Sequence, residues 1–120
     1  MKVLLTGSSK GIGHKIAEDL LAEGHQLALH YNKNKSPLEA LLKKDKTGSF
    51  SIQADLSNKD EIKKMVVNTI DKLSFPDCII NNAGIAESAG ISLDINSWSN
   101  MFDKTIDVNL KAPTLIFKEF

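Results

Sequence analysis

Eight residues near the start of the chain combine the types that can hold a phosphate. Thr6-Gly7-Ser8-Ser9-Lys10-Gly11-Ile12-Gly13 follows the apolar run Val3-Leu4-Leu5 and leads into Ile12, Ile16, Leu20, Ala17 and Leu21 at helical spacing. The stretch therefore sits at a strand-to-helix turn. Its glycines allow positive φ and a close backbone approach. The first amides of the following helix are unpaired and carry partial positive charge, so the turn can cradle a pyrophosphate. Three further stretches could do chemistry. Asp55-Leu56 offers a carboxylate and a neighbouring amide. Asn81-Asn82-Ala83-Gly84 offers an amide side chain that donates and accepts, beside small residues against which a sugar could rest. Asp107-Val108-Asn109-Leu110 precedes Pro113, which has no N–H to give the carbonyl of residue 109; that carbonyl is expected to be free inside a helix. The glycine spacing, G-x-x-x-G-x-G, is neither the common dinucleotide fingerprint G-x-G-x-x-G nor the phosphate loop G-x-x-x-x-G-K-S/T.

The elements that must position these residues follow from pattern and punctuation. The first helix should end near Glu23-Gly24, with Gly24 as its stop. Leu27-Ala28-Leu29 reads as a second strand, and Tyr31 to Lys35 as a polar loop. Ser36-Pro37 opens a helix through Leu38, Leu41 and Leu42, stopped by Gly48. Ser49 to Gln53 reads as a third strand, polar enough to lie near an edge. Ser57, with Asp60 three residues on, is expected to cap a helix that buries Ile62, Met65, Val66 and Ile70. After Pro76, Cys78-Ile79-Ile80 is the fourth strand and Asn81 to Asp94 a loop. Asn96 or Ser97 caps a last helix that is still running at Phe120. The order βαβαβαβα specifies the α/β class, a doubly wound parallel sheet with helices on both faces. Right-handed crossovers allow the strand order 3-2-1-4. The switch point then lies between strands one and four, where the glycine turn and Asn81–Gly84 meet.

Composition narrows the function. The 120 residues form one domain and carry 15 basic and 15 acidic side chains, so charge gives no reason to expect nucleic acid or a membrane as partner. Cys78 is the only cysteine, which excludes an internal disulfide. The N-terminal apolar run breaks at Thr6-Gly7, too short for a signal peptide, and no stretch approaches transmembrane length; a cytoplasmic location is expected. His14, His25, His30 and Cys78 do not form ligand-like pairs, so no metal site is expected. No nucleophile elbow supports Ser-His-Asp catalysis. Trp98 and Phe102, at i and i+4, read as packing residues.

The glycine turn, with Asn81-Asn82-Ala83-Gly84 about seventy residues later, resembles the short-chain dehydrogenase/reductase family, and within it the 3-oxoacyl-carrier-protein reductase type. The resemblance implies a Rossmann-type fold and a nicotinamide dinucleotide. It assigns Gly7, Ser9, Lys10, Gly11, Ile12 and Gly13 to the cofactor. It sets Asp55 and the Leu56 amide at the adenine, and Asn82, Ala83 and Gly84 at a ribose. The second strand ends His30-Tyr31-Asn32-Lys33, without the acid that would bind a ribose 2′-hydroxyl. Lys10, assisted by Tyr31, Asn32 and Lys33, suits a 2′-phosphate, so NADP is expected over NAD. Asn109 matches the family's catalytic asparagine, whose backbone carbonyl holds a water of the proton relay. Tyr31 and Lys35 reproduce the spacing of the family's catalytic Tyr-x-x-x-Lys, but they lie in the loop after strand two at the adenosine end and are rejected as that pair.

The implied reaction is hydride transfer between the cofactor and a small-molecule carbonyl or alcohol, by a homo-oligomer. The resemblance covers only the first half of the family's pattern. The catalytic serine, the true Tyr-x-x-x-Lys and the later strands fall outside it. The 120 residues are therefore expected to be the N-terminal, cofactor-binding part of a truncated enzyme, inactive alone, with strand four left as an open edge and a tendency to self-associate. The alternative is a non-catalytic module that binds nucleotide or a partner. An epimerase or dehydratase of the extended branch is the other, and the glycine spacing stands against it.

Overall fold

Side-chain alternation along the first strand decides the layers. The computed structural model describes residues 1–87 and 90–120. In β1 (Lys2–Leu5), Val3 and Leu5 point into one apolar cluster and Leu4 into the other. The chain continues through α1 (Gly11–Ala22), β2 (Gln26–Tyr31), α2 (Ser36–Leu42), β3 (Phe50–Gln53), α3 (Lys59–Leu73), β4 (Cys78–Ile80), α4 (Ile95–Ile106) and α5 (Ala112–Glu119). A π-helical stretch, Asp107–Lys111, joins the last two helices. The four strands are parallel in the order β3-β2-β1-β4, with Leu5 opposite Leu29 and Ile80. The expected α/β, doubly wound architecture and its 3-2-1-4 order are thus observed.

One cluster packs Val3, Leu5, Leu27 and Leu29 against Ala17 of α1 and Leu38 of α2. The other packs Leu4, Ala28 and Ile52 against Ile62, Met65 and Val66 of α3 and Ile116 of α5. Each fully buried aliphatic side chain contributes roughly 1.5–3 kcal/mol. Because β1 supplies both clusters, the sheet holds the two helix layers together. Among the described residues, no helix is long and apolar enough to cross a membrane.

Several boundaries differ from expectation, each for a local reason. β2 runs to Tyr31 because His30 and Tyr31 pair with Ile52 and Gln53 of β3. α2 ends at Leu42, and Gly48 instead turns the chain into β3 with φ +82°. Asn58, not Ser57, caps α3: its side chain accepts from the Asp60 and Glu61 amides, while Ser57 is turned back onto Asp55. Asp94, not Asn96 or Ser97, caps α4, accepting from both of their amides. Part of the expected 81–94 loop, residues 88–89, lies outside the described residues. Pro113 does not follow a plain α-helix. The helix widens, and the Ala112 amide donates to the Asp107 carbonyl five residues back. Trp98 and Phe102 do not pack inward: both are largely exposed, and α4 has no buried residue.

α3 ends on Ser74 at φ 66°, a left-handed conformation that a β-carbon disfavours. Its hydroxyl accepts only an exposed contact from Lys2 Nζ at 3.1 Å. Ser74→Gly should therefore stabilise the chain by about 1 kcal/mol in urea denaturation. An unchanged or lowered midpoint would show that the hydroxyl outweighs the strain.

Candidate functional site

The C-terminal ends of β1 and β4 are joined by one buried hydroxyl. Thr6 Oγ1 donates to the Ile80 carbonyl at 3.3 Å and accepts from the amides of Asn82 at 3.1 Å and Ala83 at 3.0 Å. Asn82 Nδ2 returns the link, donating to the Thr6 and Gly7 carbonyls at 3.0 Å each. Gly7 has φ +66°, and a β-carbon there would lie 2.8 Å from Ala83 Cα. Gly13, in the first turn of α1, leaves still less room: its β-carbon would lie 2.2 Å from the Gly7 carbonyl oxygen and 2.4 Å from Asn82 Nδ2. The glycine turn, the start of α1 and the loop after β4 are therefore one packed unit. Lys10 occupies the N-cap position of α1, in extended conformation, and no side chain caps the helix. The first amides of α1 are thus open to an anion.

β2 and β3 reach the same place. His30 Nδ1 accepts from the Gly7 amide at 3.1 Å, and its Nε2 meets the Ala54 carbonyl at 3.0 Å. The His30 carbonyl accepts from the Ser8 amide at 2.9 Å and the Ser8 hydroxyl at 2.8 Å. Burial pushes the imidazole below the ordinary value of 6.5, against the smaller opposite pull of the Ala54 carbonyl and Asp55. The folded state thus binds fewer protons than the unfolded state just below pH 6.5. The contribution of His30 to stability is complete above that pH and falls as the solution is acidified.

Asp55, after β3, accepts the Ser57 hydroxyl at 2.7 Å and the Ser57 amide at 2.9 Å. Those two bonds, with Lys104 and Lys33 nearby, hold its carboxyl below the usual 3.8 although partial burial opposes them. It is a carboxylate at neutral pH. Its stabilising contribution is present above pH 3.8 and lost as pH falls further. The Asn109 side chain is fully engaged: Oδ1 accepts from the Ile85 amide and Nδ2 donates to the Ile85 carbonyl, both at 2.8 Å.

These elements enclose a cleft of about 550 Å³, within the range of cofactor sites. Of the expected site residues, Gly7, Ser9, Lys10, Gly11, Asn32, Asp55, Leu56, Asn82, Ala83 and Gly84 line it. Four expected site residues do not. Gly13 is the floor under the turn, and Ile12 is 76% exposed outside the lining. Tyr31 packs with Leu27 and Leu29 in the cluster beneath α1 and α2 and is not among the lining residues. Asn109 is behind the lining, holding Ile85. Lys33 lines the cleft as expected, and Asn34, Ile85, Val108, His30 and Lys104 line it without having been anticipated. A histidine at the end of an apolar strand was the available signal for His30. Lys104 had none, because nothing in the local sequence sets which side of α4 meets the cleft. Lys104 is paired with Glu87 at 2.9 Å. Lys10 and Lys33 have no carboxylate partner among the described residues. The charged lining, three lysines and one aspartate, is therefore net positive in a chain of zero net charge.

The family model for short chain dehydrogenases matches residues 1–120. A 3-oxoacyl-acyl-carrier-protein reductase of Staphylococcus epidermidis is 36% identical over 112 residues, covering 91% of this chain and 45% of that protein. The corresponding reductase of Synechocystis is 29% identical, covering 96% of this chain and 47% of the relative. Among solved structures, a metagenomic short-chain oxidoreductase in complex with NADP superimposes with a TM-score of 0.82 at 28% identity, over 100% of this chain and 54% of its own. A short chain dehydrogenase from Burkholderia cenocepacia, also in complex with NADP, gives 0.80 at 27% identity, over 98% and 48%. The chain spans about half the length of the curated relatives it matches.

Two glycine substitutions separate packing from conformation. Gly11 has φ +55° but open space around its missing β-carbon. Gly11→Ala should cost about 1 kcal/mol of stability, the ordinary cost of a left-handed residue. Gly13→Ala forces a β-carbon against backbone and should cost roughly 3 kcal/mol or more in the same urea series. Equal costs would contradict the packed unit.

Proposed function

The chain belongs to the short-chain dehydrogenase family, and from that premise we propose that its cleft takes NADP and that these residues form the cofactor-binding part of a carbonyl–alcohol oxidoreductase. The observation that carries the reading is that the uncapped start of α1 opens into the same positively lined cleft as Asp55, Leu56 and Asn82–Gly84. The residues fit the group. The amides from Ser9 to Gly13 hold the pyrophosphate, which accounts for Ile12 and Gly13 through their backbones. Asp55, ionised, and the Leu56 amide meet the adenine edge, and Asn82, Ala83 and Gly84 give a ribose a flat backbone to rest on. Lys10 and Lys33, with Asn32, hold a 2′-phosphate where β2 ends without an acid. When bound, the nicotinamide supplies the hydride. The substrate is a small carbonyl or alcohol compound, and the cytoplasm is the compartment we propose.

Asn109 acts through its backbone. Its side chain is spent on Ile85, which holds the helix against the loop after Gly84. Its carbonyl lies in the π-helical stretch, four residues before a proline that has no amide, and is suited to holding a water of the proton relay. A second reading, a nucleotide-binding module without catalysis, draws on Tyr31. It is the only tyrosine in the chain and packs away from the cleft, so these 120 residues supply no phenol as general acid. Both readings predict no turnover of a ketone by the chain alone. We further propose self-association, because Ile95, Trp98, Phe102, Leu110 and Phe117 expose apolar surface along α4, the π-helical stretch and α5.

In fluorescence titrations the chain should bind NADPH more tightly than NADH. Lys10→Ala should weaken NADPH about tenfold and leave NADH little changed. Tighter NADH binding would end the NADP assignment, and saturation by neither would end the cofactor reading. In sedimentation velocity the chain should run as a dimer or larger and Phe102→Lys should shift it toward monomer; a monomeric wild type at high concentration would remove the self-association.

A further inference from the structure

His30 is the one titratable side chain among the buried residues described. It ties three strand ends together, and its partners fix its chemical form. The Gly7 amide can only donate, so Nδ1 must be bare; the Ala54 carbonyl can only accept, so Nε2 must carry the hydrogen. This is the neutral imidazole. A proton added at Nδ1 would set two donors face to face at the 3.1 Å separation now spanned by a hydrogen bond.

We propose that His30 is a positioning residue of the cleft: its neutral ring fixes the Gly7 amide, and a proton on Nδ1 releases the glycine turn, so that affinity for the dinucleotide falls in acid. The proposal rests on the cofactor reading above. The groups around the ring bear on where this happens. The turn after β1 brings Lys10, the loop after β2 brings Lys33, and α4 brings Lys104. The turn after β3 brings Asp55, whose amide is held by Glu61 of α3 at 2.6 Å. Of these, Asp55 is the one that favours the proton, and burial opposes it more strongly. The effect therefore sets in below the ordinary histidine range. Ser8 stays tied to the His30 carbonyl through backbone and hydroxyl, whatever the ring does. Loss of the ring's hydrogen bond thus loosens the turn without detaching it from β2.

The test compares wild type, His30→Asn and His30→Phe. The Asn side chain can place an acceptor near the Nδ1 position and does not titrate; Phe fills the space and cannot accept. Calorimetry with oxidised NADP between about pH 8 and pH 5.5 reads the affinity, and protection of the Gly7 amide from hydrogen exchange reads the turn without any ligand. At the higher pH, Asn should bind within about threefold of wild type and Phe about tenfold more weakly. On acidification wild type should lose affinity that Asn keeps, with the gap widening toward the acid end, the titration of the 2′-phosphate being common to both. Gly7 protection should be low in Phe at every pH and fall in acid only in wild type. A Phe variant that binds like wild type, or an Asn variant that shares the wild-type acid loss, would overturn the proposal. If wild type bound no NADP at any pH, the cofactor reading would fail, and the Gly7 protection would still decide whether the ring holds the turn.

Discussion

Position 13 has no room for a β-carbon, and most of the architecture depends on that. α1 can begin where it does only because the Gly7 carbonyl and the Asn82 amide close over a bare Cα. That contact brings the helix start against the ends of β1 and β4 together. The Thr6 hydroxyl then fills the space between the strands with three hydrogen bonds. Buried polar groups of this kind are stabilising only when satisfied. Here the hydroxyl donates to one carbonyl and accepts from two amides, and the Asn82 side chain donates to two carbonyls, so the unit is rigid beside the open amides of α1.

The remaining wall of the cleft comes from β2 and β3 through His30 and Asp55. Both side chains have their charge state set by the fold, and in opposite senses. Burial keeps His30 neutral, while Ser57 keeps Asp55 ionised. Acid works against both, so the cleft and the fold weaken in the same direction as pH falls. The positive lining arises locally, from Lys10, Lys33 and Lys104, and total charge gave no hint of it. Zero net charge offers no long-range attraction for a polyanion, yet it says nothing of what a single crevice concentrates.

Much of this was legible in the sequence because local and tertiary signals agree there. Val3-Leu4-Leu5 before three glycines, and Cys78-Ile79-Ile80 before Asn81-Asn82-Ala83-Gly84, place two loops at one switch point once the strand order is known. What failed were boundaries. Ending β2 at Leu29 left Tyr31 in a loop, free to reach Lys10. In the structure β2 continues two residues farther, so alternation sends Tyr31 to the side of Leu27 and Leu29 and turns His30 toward the cleft. One strand residue decided which side chain met the site. Caps differed as well: at Asn58 a longer acceptor wins over a neighbouring hydroxyl, and at Asp94 a carboxylate wins over a nearby amide and hydroxyl. Pro113 announced a disturbed helix, but the widened turn that Asp107–Lys111 adopts, and the nearness of Lys104 to Asp55, depend on packing that no local pattern carries.

We propose that the turn after β1, the start of α1 and the loop after β4 form a preorganised site for a dinucleotide. Amide chemical-shift mapping during an NADPH titration tests it most directly. Shifts should concentrate at Ser9–Gly13, Leu56 and Asn82–Gly84, with α2 and the outer face of α3 unmoved. Shifts centred elsewhere, or spread evenly over the chain, would contradict it.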